Sequence, residues 1–300
     1  MTDKELRVSE AQIAVHWQEE NKFAPTAGFI AQANMTDAEI FQRFSLENFP
    51  DCFKEYADLL DWERYWHTML DTSAAPSWKW FVGGLINASY NCVDRHLQQH
   101  GNKAAFIWVP EPEDEPHVVL TYQELYVRVN EFAALLRDHC GLKAGDRVTI
   151  HMPMVLELPI TMLACARLGI IHSVVFGGFS GHACGERIAD SGSKVLITMD
   201  SYYRNGKLLA HRVNGDLAIA SARDLGQEVE KMLVWRRKQG EYQSRSKMVE
   251  QRDFFVDELL ADYRGVRVDP IPMPAEAPLF LMYTSGTTGQ PKGCQHSTGG

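Results

Sequence analysis

The stretch YTSGTTGQPKG, Tyr283 to Gly293, collects three kinds of group that bind phosphate. Glycines at 286, 289 and 293 let the backbone reach positive φ and approach a ligand closely, so that successive N–H groups can form a nest for an anion. Thr284, Ser285, Thr287 and Thr288 add hydroxyl donors, and Lys292 adds a point charge. A Walker A loop is excluded: counting GxxxxGK from Gly286 puts Pro291 where the second glycine should stand, and no Ser or Thr follows Lys292. The competing reading is a glycine-rich hairpin turn, which calls for strand-like alternation after the loop. CQHSTGG, Cys294 to Gly300, shows none, so phosphate binding is the expectation.

Two more loops have compositions suited to ligands. FGGFS runs from Phe176 to Ser180, and DSYYRNGK runs from Asp200 to Lys207. In the second, Arg204 and Lys207 stand three apart across Asn205 and Gly206, a small basic loop that could clamp a second phosphate group. Two cations around a surface turn are common, so the pair gains weight only from its neighbours. His172 and His296 stand alone in apolar or glycine-rich settings and read as packed or capping residues. Cys165 and Cys184 have no basic neighbour to activate a thiolate. No metal-ligand spacing and no nucleophile–base pair stands out.

These loops need a scaffold, and the chain from about residue 104 alternates strand and helix. AAFIWV reads as a strand, EPEDEP (Glu111 to Pro116) as an acidic surface loop, and TYQE (Thr121 to Glu124) as a capping box. The box opens a helix with the apolar stripe Leu125, Val129, Phe132, Ala133 and Leu136. RVTIHM, IIHSVVF, KVLIT, KMLVW and PLFLMY follow as strands. Between them lie a helix containing Pro159 and ending at Gly169, a short helix ending near Gly192, and a helical stretch around Leu208 to Leu225. WRRKQGEYQSRSKM is basic without apolar period and reads as a solvated loop. This alternation predicts α/β architecture: a doubly wound, largely parallel sheet with flanking helices. FGGFS, DSYYRNGK and TSGTTGQPKG each follow a strand, so all three should gather at the carboxyl edge of that sheet, where ligands bind in such folds. Residues 1–80 differ. They form an arm rich in aromatic and acidic residues, in which LDWERYW spaces Trp62 and Trp66 four apart, as on one helical face packing against a larger body.

Composition sets the outer limits. The chain has 300 residues, 45% hydrophobic and 23% charged, the mixture of a globular protein with a sizeable core. Its formal charge of −9 disfavours nucleic acid and anionic membranes as partners, so any anion site must be local. Leu158 to Phe176 is interrupted by Arg167 and His172 and reads as helix plus buried strand, not as a membrane span. Six scattered cysteines with no CxxC pair fit reduced thiols in a cytoplasmic protein.

YTSGTTGQPKG resembles the phosphate loop of the adenylate-forming superfamily. WFVGGLINASYNCVDRHL (Trp80 to Leu97), MPMVLELPITMLACARLGIIHSVVFGGFS (Met152 to Ser180) and DSYYRNGK are similar to the AMP-forming acetyl-CoA synthetases and their propionyl-CoA relatives. The resemblance covers nearly everything from about residue 60. It implies a two-step ligase: a short carboxylate attacks the α-phosphate of ATP bound with Mg²⁺, and the thiol of coenzyme A then displaces AMP. It implies that Thr284, Ser285, Gly286, Thr287, Thr288, Gly289 and Lys292 hold the β and γ phosphates. It implies further that Gly178 lies beside the pantetheine path, and that Arg204 and Lys207, with Asn205 and Gly206 between them, meet the phosphates at the nucleotide end of coenzyme A. Lys207 stands where the family pattern suggests arginine, so a planar two-pronged contact becomes a point charge. Gln290 occupies a variable position.

Chains of that family are much longer. By the resemblance, residues 81–300 are an incomplete adenylation domain, and the adenine motif, the Mg²⁺ ligand, the acid pocket and the catalytic lysine lie beyond Gly300. No catalytic or metal residue is therefore assigned in this chain, and alone it is expected to make no acyl-CoA. The alternatives are a non-catalytic module that binds ATP or coenzyme A, and a ligase for another acid such as propionate or acetoacetate.

Overall fold

The computed structural model describes residues 23–33, 37–237, 248–284 and 291–300. The chain divides into two compact units, Met1–Phe53 and Lys54–Gly300. In the first, the helix Ala27–Gln32 is capped by Thr26, whose Oγ1 accepts from the Phe29 N–H at 3.3 Å. Phe44 and Phe49 both meet Phe53 edge-on, with ring centroids 5.9 and 6.2 Å away.

The second unit is built on a seven-stranded sheet. In spatial order its strands are Asp253–Phe255, Lys231–Trp235, Val195–Met199, Arg147–Met152, Ile171–Phe176, Pro278–Thr284 and Lys292–Ser297. The first six pair in parallel, and the seventh runs antiparallel to the sixth. Alternate residues point to opposite faces, and the sequence fills both. Val148, Ile150, Val195, Ile197 and Leu233 face the helices Tyr122–Asp138 and Glu157–Arg167. Leu196, Met232 and Val234 face Gly181–Ser191 and Arg212–Asp224. This is the doubly wound arrangement that the strand–helix alternation predicts.

Local signals set the helix boundaries. Thr121 and Glu124 form the expected capping box, with the Glu124 N–H donating to Thr121 Oγ1 and the Thr121 N–H donating to Glu124 Oε2. Such a cap contributes about 1 kcal/mol. Gly169 and Gly192, with φ of 68° and 64°, end their helices in the left-handed region that glycine enters at no steric cost.

Three local expectations are corrected. Residues 61–67 are not helical, yet the Trp62 and Trp66 rings still meet at 4.9 Å because both pack on Phe81. YYRNGK is not an open loop leading into a helix at Leu208. Ser201–Arg204 and Lys207–Ala210 form an antiparallel hairpin, and the helix begins at Arg212. CQHSTGG does carry strand structure: Lys292–Ser297 pairs with Pro278–Thr284, so the glycine-rich loop spans a hairpin. A strand with nearly every residue exposed buries neither face and so needs no alternation.

Two charged pairs lie deep in the unit. Arg167 reaches Asp94 with both terminal nitrogens, at 2.7 and 2.9 Å, and donates through Nε to the Val268 carbonyl at 2.5 Å. Arg212 Nη2 meets Asp253 at 2.7 Å, with both side chains fully enclosed.

Candidate functional site

Strand Arg147–Met152 lies between Ile171–Phe176 on one side and Val195–Met199 on the other, so the chain steps to one side of it for the next strand and crosses back to the other side for the one after. A crevice opens at such a switch point, beyond the carboxyl ends of the strands. Here it holds a cavity of about 340 Å³ lined by Trp108, Met154, Phe176, Gly178, Tyr203 and Arg204, among others.

Each wall has a local cause. After Phe176 the chain must pass close to the end of the neighbouring strand: a Cβ at Gly177 would lie 2.8 Å from both the Met152 carbonyl oxygen and the Pro153 nitrogen. Gly178 leaves room for Arg204, since a Cβ there would overlap the guanidinium and come within 2.6 Å of the Phe176 ring. Ser180 then accepts from the Ala183 N–H at 3.2 Å and starts the helix Gly181–Ser191. Opposite, Asn205 and Gly206 adopt φ of 52° and 70°. Two consecutive positive φ values make a type I′ turn, the tight hairpin turn that Asn-Gly favours. Arg204 lies with its guanidinium carbon 5.8 Å from the Phe176 ring centroid. Tyr202 donates from its hydroxyl to the Gly177 carbonyl at 3.2 Å, tying the hairpin to the glycine loop.

The structure therefore joins Gly178 and Arg204 in one cavity and makes Asn205 and Gly206 the turn beside them. Lys207 is the register partner of Arg204 across the hairpin and is exposed. Among the described residues no carboxylate forms an ion pair with Arg204 or Lys207, and both residues are exposed.

The phosphate-type loop springs from the neighbouring parallel strand at the same edge of the sheet. Thr284 and Lys292 are register partners at its mouth. Ser285, Gly286, Thr287, Thr288, Gly289 and Gln290 lie outside the described residues. Just before the mouth, Tyr283 donates from its hydroxyl to Asp190 at 2.6 Å. Arg187 sits between two rings, 5.4 Å from Tyr283 and 5.0 Å from Phe179. Burial and the acidic partner both push the Tyr283 hydroxyl well above its ordinary pKa, so it stays a donor. Gly293 faces the Tyr283 ring, which a Cβ would approach to 3.3 Å.

Sequence reasoning missed a histidine pair beneath the hairpin. His151 and His211 meet with centroids 4.5 Å apart, and Tyr202 stands edge-on to His211 at 5.1 Å. Burial pushes His151 down to about 3 and His211 down to about 4, so both are neutral at physiological pH. They come from segments sixty residues apart with no shared motif, and only the fold brings them together. His172 is packed as expected, buried near Phe280 with its pKa pushed down to about 4. Cys165 and Cys184 are fully buried, and burial raises both thiols. Among the described residues no trio of His, Cys, Asp or Glu side chains is placed to hold a metal ion, and no helix is long and apolar enough to cross a membrane.

Comparison with known proteins places this geometry. Residues 93–300 match the family described as AMP-binding enzyme, and residues 39–92 match the acetyl-coenzyme A synthetase N-terminus. The chain belongs to the AMP-binding enzyme family. It is 46% identical over 90% of its length to the 3-hydroxypropionyl-coenzyme A synthetase of Sulfurisphaera tokodaii. It is 43% identical over 85% of its length to the acetyl-coenzyme A synthetase of Methanothrix soehngenii, and 45% identical over 86% to that of Rhizobium rhizogenes. These matches span 40%, 36% and 39% of the relatives' own lengths.

Several polar side chains of the stretch Ile86 to His96 serve packing. In INASYNCVDRH, Asn87 caps the helix Ala88–Cys92 and donates to the carbonyls of Ala166, Arg167 and Ile271. Asn91 ties Asp61 to Arg95, and Asp94 neutralises Arg167.

Proposed function

We propose that this chain is the N-terminal part of an acid–thiol ligase that activates a short carboxylate, acetate or propionate, through an acyl-adenylate. In this reading residues 1–80 are the arm of that enzyme class and residues 81–300 an incomplete adenylation domain. ATP enters as its Mg²⁺ complex, and no residue of this chain is assigned to the metal.

The observation that carries the reading is the meeting of Gly178 and Arg204 in the switch-point cavity, next to the hairpin whose mouth is Thr284 and Lys292. Thr284, the loop residues Ser285, Gly286, Thr287, Thr288 and Gly289, and Lys292 hold the β and γ phosphates. They stabilise the charge that accumulates as pyrophosphate leaves, which is how phosphoryl-type transfers gain most of their rate. Gly178 gives the pantetheine arm room, and the turn Arg204-Asn205-Gly206-Lys207 offers two cations to the nucleotide phosphates of coenzyme A. The relatives' names, acetyl- and 3-hydroxypropionyl-coenzyme A synthetase, support a short acid as substrate.

Two measurements on the purified chain test this. ATP should bind and pyrophosphate should displace it, while acetate-dependent exchange of pyrophosphate into ATP stays at background because the remaining catalytic groups lie elsewhere. ATP binding that pyrophosphate does not displace would remove the phosphate-loop assignment. Exchange above background would overturn the assignment of the chemistry to residues outside this chain.

A further inference from the structure

The acidic loop between strands Ala104–Trp108 and Val118–Thr121 carries EPEDEP, which the sequence marks only as solvated surface. In the structure it reaches the basic hairpin once directly and once through Arg237. Glu111 accepts the Gly206 N–H on its Oε1 at 2.7 Å, at the tip of the type I′ turn. Glu115 meets Arg237 at 2.5 Å, and Arg237 in turn lies over the Tyr203 ring at 4.5 Å while its backbone N–H donates to Asp200 at 2.9 Å. The hairpin is thus held at its tip by one carboxylate directly and along its flank by Arg237, which a second carboxylate holds in place.

The choice of partner within the hairpin is informative. Glu111 lies beside two cations, yet it accepts from the backbone N–H between them and forms an ion pair with neither. A two-stranded hairpin standing apart from the main sheet is only marginally ordered by itself. A carboxylate on the turn N–H fixes the tip and leaves Arg204 and Lys207 free for an anion.

We propose that Glu111 is a positioning residue that presets the basic hairpin, so that Arg204 and Lys207 stand in their binding arrangement before the anionic ligand arrives. Preordering of this kind raises affinity by lowering the ordering cost of binding. The proposal rests on the reading of the hairpin as a coenzyme A clamp, and its test separates the two.

Hydrogen exchange over residues 201–210 and titration with coenzyme A are measured for the wild-type chain, Glu111→Ala and Glu111→Gln. Glu111→Ala is expected to speed exchange of the Gly206 amide and its neighbours about tenfold and to weaken coenzyme A by about the same factor. Glu111→Gln keeps the acceptor oxygen and should restore both to within about threefold of wild type. Unchanged exchange in Glu111→Ala would overturn the proposal. So would tighter coenzyme A binding in both variants, because Glu111 would then be a competing anion. If exchange responds as expected while the wild-type chain fails to bind coenzyme A, the positioning role stands and the clamp reading falls.

Discussion

Gly178 and Arg204 occupy space that a single methyl group at position 178 would deny to one of them. Gly178 lies in the loop after the strand Ile171–Phe176 and Arg204 ends the first strand of the hairpin at 201–210, and both line the cavity at the switch point of the sheet. The overlapped groups are the far end of a flexible arginine and the ring of Phe176, which is exposed and can turn aside, and Gly178 itself has no positive φ. Gly178→Ala should therefore fold normally, with stability within about 1 kcal/mol of wild type. The displaced guanidinium should weaken coenzyme A about tenfold. Calorimetric titration beside thermal unfolding checks both, and a large loss of stability with unchanged affinity would give Gly178 a purely structural role.

Asp94 neutralises an arginine that is 1% exposed. Asp94→Ala leaves that charge buried without its partner, which costs about 3–5 kcal/mol. Urea unfolding should show the loss in full, because Asp94 belongs to packing and not to a binding site. A change below about 1 kcal/mol would mean that water or a rearranged carboxylate replaces Asp94.

Tyr283 anchors the strand that leads into the phosphate-type loop. Tyr283→Phe removes one hydrogen bond to Asp190, worth about 1 kcal/mol, and leaves the ring against Arg187. The expected outcome is a modest fall in unfolding midpoint together with weaker ATP binding. Unchanged ATP affinity would confine this contact to stability.

Three buried histidines set an acid limit. Their folded pKa values lie near 3 for His151 and near 4 for His172 and His211, below the ordinary 6.5, because burial penalises the charged ring. Above pH 6.5 both folded and unfolded states hold them neutral, and stability is unaffected. As pH falls below 6.5 the unfolded chain takes up protons that the folded chain refuses, so stability drops by up to about 1.4 kcal/mol per pH unit for each histidine. Unfolding free energies at pH 7.5, 6 and 5 check the slope, and a flat profile over that range would contradict it.

Most of the scaffold was legible because its signals are local. The Thr121–Glu124 capping box, the glycines at 169 and 192 and the apolar runs of the central strands each act within a few residues. The hairpin at 201–210 carried its Asn-Gly signal openly, but charge drew attention to Arg204 and Lys207 before turn chemistry did. The strand Lys292–Ser297 gave no alternation because almost all of it is exposed. Trp62 and Trp66 meet without a helix, since spacing alone does not distinguish a helical face from a loop folded around Phe81. The His151–His211 contact and the reach of Glu111 to Gly206 depend on tertiary placement, which no short window of sequence contains.

The most direct measurement is titration of the chain with coenzyme A and with the analogue lacking its 3′-phosphate, in wild type and Arg204→Met. If the hairpin is a clamp for the nucleotide end, losing the 3′-phosphate weakens wild-type binding about tenfold or more, and Arg204→Met abolishes most of that difference. Equal affinity for the two ligands in the wild-type chain would contradict the assignment of the hairpin to coenzyme A.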